Sequence, residues 1–197
     1  MPMMRDIYMK AVIVIAGDAT RMHPLTHSTA KVLLPVAGKS SLAHILDELG
    51  SIDISEFIFI INPRQGYQIE EFVKEQYGDL PVKFIVQDNQ DGTACAVDLA
   101  REFMTEPSLI IFGDTIFNAD LSTIRSCTDD GIIWGMAVED YQRFGVLVHD
   151  NNNIITQMVE KPSEPISKLA NIGMYFIKDT ALMFEGVDHL LKNNMYL

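Results

Sequence analysis

The chain has 197 residues, which is enough for one domain with a sizeable hydrophobic core. Its formal net charge is −12, and this argues against a nucleic-acid polymer or an anionic membrane as a partner, because both would be repelled. The N-terminus has neither a long apolar run nor a small-residue cleavage site, and no segment is apolar for long enough to span a bilayer. We therefore expect no signal peptide and no membrane partner.

The two cysteines, Cys95 and Cys127, are too few for a disulfide scaffold and lack the spacing of a metal site. We interpret both as reduced packing residues, which are typical of a cytoplasmic protein. The five histidines show no metal-binding pattern either. The cytoplasm is therefore the expected location.

Strands and helices alternate through the first part of the chain. Apolar, β-branched runs predict strands at 10–16, 57–61, 82–86 and 108–112. Segments with one apolar or small-residue face predict helices at 40–49, 66–77 and 93–103. Strands that alternate with helices form βαβ units, so the sequence predicts an α/β fold with a parallel sheet and right-handed crossovers.

The pattern changes after residue 131, where the predicted strands lie close together in sequence. They fall at 132–138, 145–148, 154–159 and 171–177, and a last helix is predicted at 181–191. Asn151, Asn152 and Asn153 are typical of a hairpin tip. This half is expected to supply an antiparallel edge and a β-rich lobe over the sheet.

The loop after the first predicted strand is rich in residues that suit an anion. The strand breaks at Gly17, and no comparable apolar run follows until Val32. Between them lie Thr20, Arg21, Pro24, Thr26 and Lys31. Successive backbone N–H groups can wrap phosphate oxygens while the two cations neutralise their charge. The pattern favours a phosphate site, and a surface loop with solvated cations is the alternative.

Two further candidate sites follow predicted strands. Asp114 follows the strand at 108–112, and ligands of open α/β sheets bind beyond the carboxyl ends of the strands. A carboxylate there can hold Mg²⁺ against phosphate oxygens, or it can simply cap the next turn. Gln87 and Gly92 follow the strand at 82–86 and can read the edge of a nucleobase. On the residues alone, a loop with a glycine turn is the simpler interpretation.

Three short motifs in the second half each join a glycine or a polar residue to a predicted strand. They contain Gly145, the pair Glu160 and Lys161, and Asn171. Each motif alone is ordinary turn chemistry. Together, in this order and spacing, their side chains can converge on one pocket.

These motifs resemble the sugar-1-phosphate nucleotidyltransferases, the enzymes also called nucleotide-sugar pyrophosphorylases. The family pattern G-x-G-T-R-(L/M)-x-P-L-T, a gap, P-K and then L-(L/V)-P-(V/I) is similar to residues 17–26 and 30–36. Two positions depart from it, because Ala19 replaces the second glycine and Ala30 replaces the proline. A Cβ at position 19 opposes close approach of a triphosphate or a positive φ, whereas Ala30 costs only rigidity.

The resemblance implies a Rossmann-like fold and a role for each matching residue. The residues that it assigns to the nucleotide are Ala16, Gly17, Asp18, Ala19, Thr20, Arg21, Gln87 and Gly92, with Gln90 as a competitor of Gln87. The residues that it assigns to the sugar phosphate are Gly145, Glu160, Lys161 and Asn171. The catalytic set that it implies is Arg21, Lys31, Asp114 and Lys161, with Asp114 as the ligand of Mg²⁺.

The resemblance also implies one nucleotidyltransferase-like domain over 1–197. It consists of a leader at 1–9, a nucleotide-binding half at about 10–130 and a sugar-phosphate half at about 131–197. Family members continue further, and their later segment supplies a second acidic metal ligand. Asp188 has no matching context here, so we expect the second half to be incomplete.

The implied reaction joins a nucleoside triphosphate to a sugar-1-phosphate and releases pyrophosphate. The resemblance favours dTTP or UTP with glucose-1-phosphate as the substrates. It also leaves a homo-oligomer as one possible state, because many relatives form oligomers. The first alternative is a non-catalytic regulatory or assembly domain of the same fold that binds a nucleotide or nucleotide sugar. A glycosyltransferase ranks last, because residues 112–115 lack an Asp-x-Asp metal motif.

Overall fold

The computed structural model describes residues 8–89 and 91–193. Its strands in that range are β1 (Met9–Val14), β2 (Pro35–Val36), β3 (Lys39–Ser40), β4 (Ile54–Ile61), β5 (Val82–Val86), β6 (Ser108–Phe112), β7 (Gly131–Ala137), β8 (Gly145–His149), β9 (Ile155–Glu160) and β10 (Leu169–Ile177). Its α-helices are α1 (Ser41–Leu49), α2 (Gly66–Gln76), α3 (Thr93–Asp98), α4 (Thr123–Ser126) and α5 (Thr180–Lys192). Most of the predicted leader 1–9 lies outside the described residues, and Met9 begins β1.

Eight strands form one mixed sheet in the order β5-β4-β1-β6-β10-β8-β9, with β7 paired to β10. The first four strands in this order are parallel. From β6 onward the pairs are antiparallel, which gives the edge expected from the closely spaced strands after residue 131. The strands expected to form a lobe over the sheet instead extend this same sheet, because β10 pairs directly with β6. The Rossmann-like α/β fold with helices on both faces is confirmed.

The two faces of the sheet bury separate hydrophobic clusters. Side chains alternate along a strand, so Ile13 of β1 packs on the α1 and α2 side while Val12 packs on the other. Helices α3 and α5 cover that second face, with Val97 and Phe184 in its cluster. Burial on both faces explains why β1, β4 and β6 are nearly continuous apolar runs. None of the helices in the described residues is long and apolar enough to cross a bilayer.

Two helices differ from the sequence-based prediction, and one turn agrees with it. The helix predicted at 93–103 ends at Asp98, and a 3-10 turn at Arg101–Phe103 replaces its last part. Such a turn is a common way to end a helix, because it pairs otherwise free carbonyl groups. The short helix α4 was not predicted. The hairpin tip at 151–153 was predicted correctly, and Asn153 has the left-handed conformation there, with φ 63°.

Two glycines allow opposite effects of an added methyl group to be compared. At Gly131, a Cβ would lie 2.4 Å from the backbone oxygen of Phe176 in the neighbouring strand, so we expect Gly131→Ala to destabilise the protein by about 1–3 kcal/mol. At Gly186 in α5 a Cβ meets open space, so Gly186→Ala should stabilise it by about 0.8–1 kcal/mol. Urea unfolding followed by circular dichroism measures both changes, and equal effects of the two variants would contradict the strand contact.

Candidate active site

A pocket of about 530 Å³ lies beyond the carboxyl ends of the four parallel strands. Each of these strands contributes residues that directly follow it, such as Ala16 after β1, Asn62 after β4, Gln87 after β5 and Asp114 after β6. The predicted site residues in its wall are Ala16, Gly17, Ala19, Arg21, Lys31, Gln87, Gly92 and Asp114. This is the crevice in which open α/β sheets bind their ligands.

The loop after β1 forms one side of the pocket. Ala19 adopts the left-handed conformation, with φ 49° and ψ 37°, just before a 3-10 turn at Thr20–Met22. Its carbonyl oxygen accepts a hydrogen bond of 2.9 Å from the hydroxyl of Thr26, which is completely buried. The positive φ that a glycine usually supplies is therefore present with a Cβ attached.

Two residues of the predicted phosphate loop are not part of the pocket wall that the described residues form. They are Asp18 and Thr20. The Asp18 carboxylate instead lies 3.8 Å from the guanidinium of Arg64, at the surface. Both residues keep their predicted place in the loop, and their role in nucleotide binding stays a prediction.

Two polar residues that follow β4 line the pocket and were missed by the sequence analysis. Asn62 and Gln65 are 3% and 4% exposed. The Asn62 side chain accepts a hydrogen bond of 2.7 Å from the Gln65 backbone N–H. The Gln65 amide in turn donates to the Thr26 carbonyl at 2.9 Å. The sequence did contain a signal for them, because these polar residues closely follow the strongly apolar strand β4, at the edge where ligands bind.

Gln87 and Gly92 form the side of the pocket expected to face a nucleobase. The Gln87 side chain is buried against this wall, and its backbone N–H donates to the Ile61 carbonyl at 2.8 Å. Gly92 has φ 94°, a conformation that favours glycine, and begins the turn into α3. Gln90, the competing candidate, lies outside the described residues.

Asp114 is exposed in the pocket and is the candidate metal ligand there. It follows Gly113, where a Cβ would lie 2.2 Å from the Ile15 side chain, so the chain requires a glycine at this crossing. The described residues contain no group of three or more His, Cys, Asp or Glu side chains arranged to hold a metal. A single carboxylate suits Mg²⁺, which usually keeps few protein ligands and binds substrate phosphates as well.

Asp188 takes part in a different interaction. Its carboxylate lies 2.6 Å from the guanidinium of Arg101, which joins α5 to the segment after α3. That hydrogen bond holds the pKa of Asp188 below its ordinary value. The same guanidinium lies 4.6 Å from the ring centre of Phe184. Asp188 therefore has a structural partner in Arg101.

The predicted sugar-phosphate residues form a second group on β8, β9 and β10. Gly145 pairs with Glu160, and a Cβ at Gly145 would lie 2.8 Å from the Glu160 carboxylate. Lys161 has a left-handed backbone with φ 43°, and its ammonium lies 3.4 Å from the same carboxylate. Asn171 lies on β10. Within the described part of the chain, these four residues are not in the wall of the first pocket.

Tyr175 connects the two groups and was not singled out from the sequence. Its hydroxyl accepts a hydrogen bond of 2.6 Å from the Asn171 amide, and its ring meets Phe112 edge-on, with the ring centres 6.1 Å apart. Burial raises the pKa of Tyr175, and the negative charges of Glu160 and Asp114 raise it further. The ring contact with Phe112, which lines the first pocket, joins the predicted sugar-phosphate group to the wall of that pocket.

An irregularity in β10 makes this connection possible. The pairing with β7 shifts between Asn171 and Tyr175, and Gly173 has φ 75° within the shift. A Cβ at Gly173 would lie 3.2 Å from Phe112, so the backbone approaches the end of β6 closely there. The Asn171 side chain accepts a hydrogen bond from the Gly173 N–H at 2.9 Å and stabilises the bend.

The loop after β1 suits a phosphate group, an acid follows the central strand, and a polar antiparallel extension continues the same sheet. These features define an α/β protein of the nucleotidyltransferase type. Residues 10–194 match the family model described as "Nucleotidyl transferase". The chain belongs to this family of sugar-1-phosphate nucleotidyltransferases, as the sequence motifs predicted.

Relatives and solved structures agree with this assignment. The chain is 37% identical to the bifunctional protein GlmU of Methanococcus aeolicus over 85% of its own length and 39% of that protein. It is 30% identical to the UTP–glucose-1-phosphate uridylyltransferase AglF of Haloferax volcanii, over 85% of its own length and 71% of that protein. A Bacillus anthracis structure assigned as a glucose-1-phosphate thymidylyltransferase superposes with a TM-score of 0.80 at 28% identity, covering 89% of this chain and 74% of that one. The chain thus spans less than half of the GlmU relative.

The left-handed alanine at position 19 has a matched control in Ala37, which has the same φ of 49° in the turn between β2 and β3. Glycine relieves the steric strain of this conformation, so Ala19→Gly and Ala37→Gly should each stabilise the protein by about 1 kcal/mol. Only Ala19 lines the pocket, so only Ala19→Gly should tighten nucleoside triphosphate binding. Thermal unfolding and calorimetric titration measure the two effects. Tighter binding in both variants would contradict a local effect of the Ala19 Cβ.

Proposed function

We propose that this chain catalyses transfer of a nucleotidyl group from a nucleoside triphosphate to a sugar-1-phosphate, with release of pyrophosphate. The observation that carries the proposal is the convergence of Arg21, Lys31 and Asp114 on one pocket beyond parallel strand ends. Two cations and one carboxylate suit a polyphosphate bound with a divalent metal ion. The local cations offset an overall charge of −12, which would otherwise repel both substrates.

The reaction requires little proton transfer from the protein. The second pKa of a phosphate monoester is about 6, so the attacking oxygen of a sugar phosphate is largely ionised near neutral pH. Catalysis then depends on bringing two polyanions into line and neutralising their charge. We assign the leaving pyrophosphate to Arg21 and the amides of the loop at 16–20, and the reacting phosphates to Lys31.

Asp114 is the residue that would hold Mg²⁺, and a bound Mg²⁺ would neutralise phosphate charge during the transfer. The exposed carboxylate in the pocket fits that ion, because substrate oxygens can complete its shell. We assign the sugar phosphate to Lys161 and the sugar hydroxyl groups to Gly145, Glu160 and Asn171. The contacts of Tyr175 with Asn171 and with Phe112 of the pocket wall support one continuous site for both substrates.

We further propose dTTP or UTP as the nucleotide and glucose-1-phosphate as the sugar substrate. Gln87 and Gly92 offer an amide and backbone groups that suit a pyrimidine edge. The names of the Haloferax volcanii relative and the Bacillus anthracis structure, a uridylyltransferase and a thymidylyltransferase of glucose-1-phosphate, support the same choice. Free Cys95 and Cys127 accord with reaction in the cytoplasm, and assembly into a homo-oligomer stays an expectation.

A second candidate function is binding of a nucleotide or nucleotide sugar without turnover, in a regulatory or assembly role. The Cβ of Ala19 in the pocket wall favours it, because the methyl group occupies space that a glycine would leave to the triphosphate. Binding without turnover would still stabilise the folded protein against heat, because a ligand that binds only the folded state shifts the equilibrium.

Pyrophosphate release tests the proposed reaction directly. The assay combines dTTP, UTP, CTP, GTP or ATP with glucose-1-phosphate or mannose-1-phosphate and Mg²⁺. We expect release only when both substrates are present, fastest with a pyrimidine nucleotide and glucose-1-phosphate, and abolished by EDTA. Thermal stabilisation by nucleotide sugars without release in any pair would instead support the binding function.

Two substitutions test the assigned residues. Arg21→Ala and Asp114→Asn should each lower kcat/KM by about 100-fold or more without unfolding the protein, because each removes charge stabilisation at the phosphates. Arg125→Ala and Asp53→Asn are the matched controls, since these side chains form an exposed ion pair of 3.0 Å outside the pocket wall. Wild-type rates in either pocket variant would refute the assignment of that residue.

A further inference from the structure

Two glutamines at the start of α2 bind the backbone of the loop after β1. Gln65 is the N-cap of α2, and Gln68 lies three residues further on, in the first turn of the helix. Gln65 donates to the carbonyl of Thr26 at 2.9 Å, and the Thr26 hydroxyl donates to the carbonyl of Ala19. This chain of hydrogen bonds fixes the first half of the loop, next to Arg21.

Gln68 binds the second half of the loop through both ends of its amide. Its oxygen accepts a hydrogen bond of 2.9 Å from the Ala30 N–H, and its nitrogen donates to the Ser28 carbonyl at 2.8 Å. One side-chain amide thus pairs with a backbone N–H and a backbone C=O two residues apart. A neighbouring β-strand would pair with the same two groups. Lys31 follows directly and lines the pocket.

The conformation of Ala30 shows what this contact achieves. Ala30 has φ −58° and ψ 135° and is 3% exposed, immediately before the 3-10 turn at Lys31–Leu33. This φ is within the range to which a proline ring restricts the backbone. An alanine has no such restriction in its covalent structure, and here the hydrogen bond to Gln68 holds its backbone N–H. The hydrogen bond from its N–H to Gln68 is one that proline could not form.

We propose that Gln68 is a positioning residue for the nucleotidyl transfer, which acts by fixing Ala30 and thereby the position of Lys31 in the pocket. The proposal rests on the proposed function through the role of Lys31 at the reacting phosphates. Gln68 itself is half-buried and is not in the pocket wall that the described residues form. Its effect on catalysis is therefore indirect.

Limited trypsin digestion tests the positioning without reference to activity. Trypsin cuts after Lys31 only when the loop opens, because the following residue, Val32, is 4% exposed. We expect Gln68→Ala to speed cleavage at Lys31 by about 10-fold or more, since cleavage follows the population of the open loop. Cleavage after the exposed Lys168 serves as the internal control and should keep its wild-type rate.

Steady-state kinetics tests the route through Lys31. Gln68→Ala should lower kcat by about 10-fold with little change in KM for the sugar phosphate, because a misplaced cation costs rate more than it costs binding of the other substrate. In a Lys31→Ala background, Gln68→Ala should cause no further loss of kcat. Additive losses in the double variant would overturn the proposal, because they would show an effect independent of Lys31.

Two further variants separate positioning from a general loss of stability. Gln68→Glu keeps an acceptor for the Ala30 N–H and loses the donor to Ser28, so it should retain more activity than Gln68→Ala. Ala30→Pro in the Gln68→Ala background restores the restriction on φ covalently and should recover part of the lost kcat. With Gln68 present, the proline ring meets the Gln68 oxygen, so the single variant Ala30→Pro should be less active than the double variant.

The outcomes distinguish this proposal from the proposed function. If the wild-type chain releases no pyrophosphate, the proposed function fails, and the digestion still decides whether Gln68 holds the loop. Unchanged cleavage at Lys31 in folded Gln68→Ala would overturn the positioning proposal even in an active enzyme. Failure of Ala30→Pro to recover any activity, together with additive losses, would leave Gln68 a residue of stability alone.

Discussion

The parallel pairing of β1 with both β4 and β6 is the constraint on which the site depends. The three strands are in register over Lys10–Val14 of β1, so their carboxyl ends lie side by side at one edge. Small or polar residues stand within two residues of each strand end, such as Ala16, Asn62 and Gly113, and the ladder thus gathers segments that are far apart in sequence. The close crossing of Gly113 over Ile15 shows how tightly the ends of β1 and β6 approach. The pocket exists because this ladder is fixed.

The chemistry of the site was more predictable than its supporting contacts. A loop of glycine, threonine and cations after a buried strand, and an acid after the central strand, are local patterns, and the structure brings Arg21, Lys31 and Asp114 to one pocket. The contacts of Gln65 and Gln68 span 39 and 38 residues, and no periodicity reports such a pairing. Tyr175 was not predicted either, because its contacts depend on the bend of β10, which no sequence pattern reveals. The apolar spacing in 93–103 could not reveal that the helix ends at Asp98.

The departures from the family pattern have physical counterparts in the structure. Ala19 adopts the left-handed conformation despite its Cβ, and the buried Thr26 hydroxyl binds the carbonyl of the same residue. Ala30 keeps a backbone N–H that a proline would lack, and a glutamine side chain uses it. At Ala30, where alanine restricts φ less than the proline of the pattern, the loop is therefore held by a hydrogen bond to the neighbouring helix α2, whereas at Ala19 the hydrogen bond comes from within the loop.

The pairing of β10 with β6 has a mechanical consequence. The parallel strands and their antiparallel extension form one continuous hydrogen-bonded sheet, and at Gly173 the backbone of β10 lies against Phe112 at the end of β6. A hinge between the two halves would have to break this ladder and separate packed backbone. Under the proposed function, capture of two substrates would depend on side-chain and loop rearrangement over this continuous sheet, with the distance between its two parts set when the chain folds.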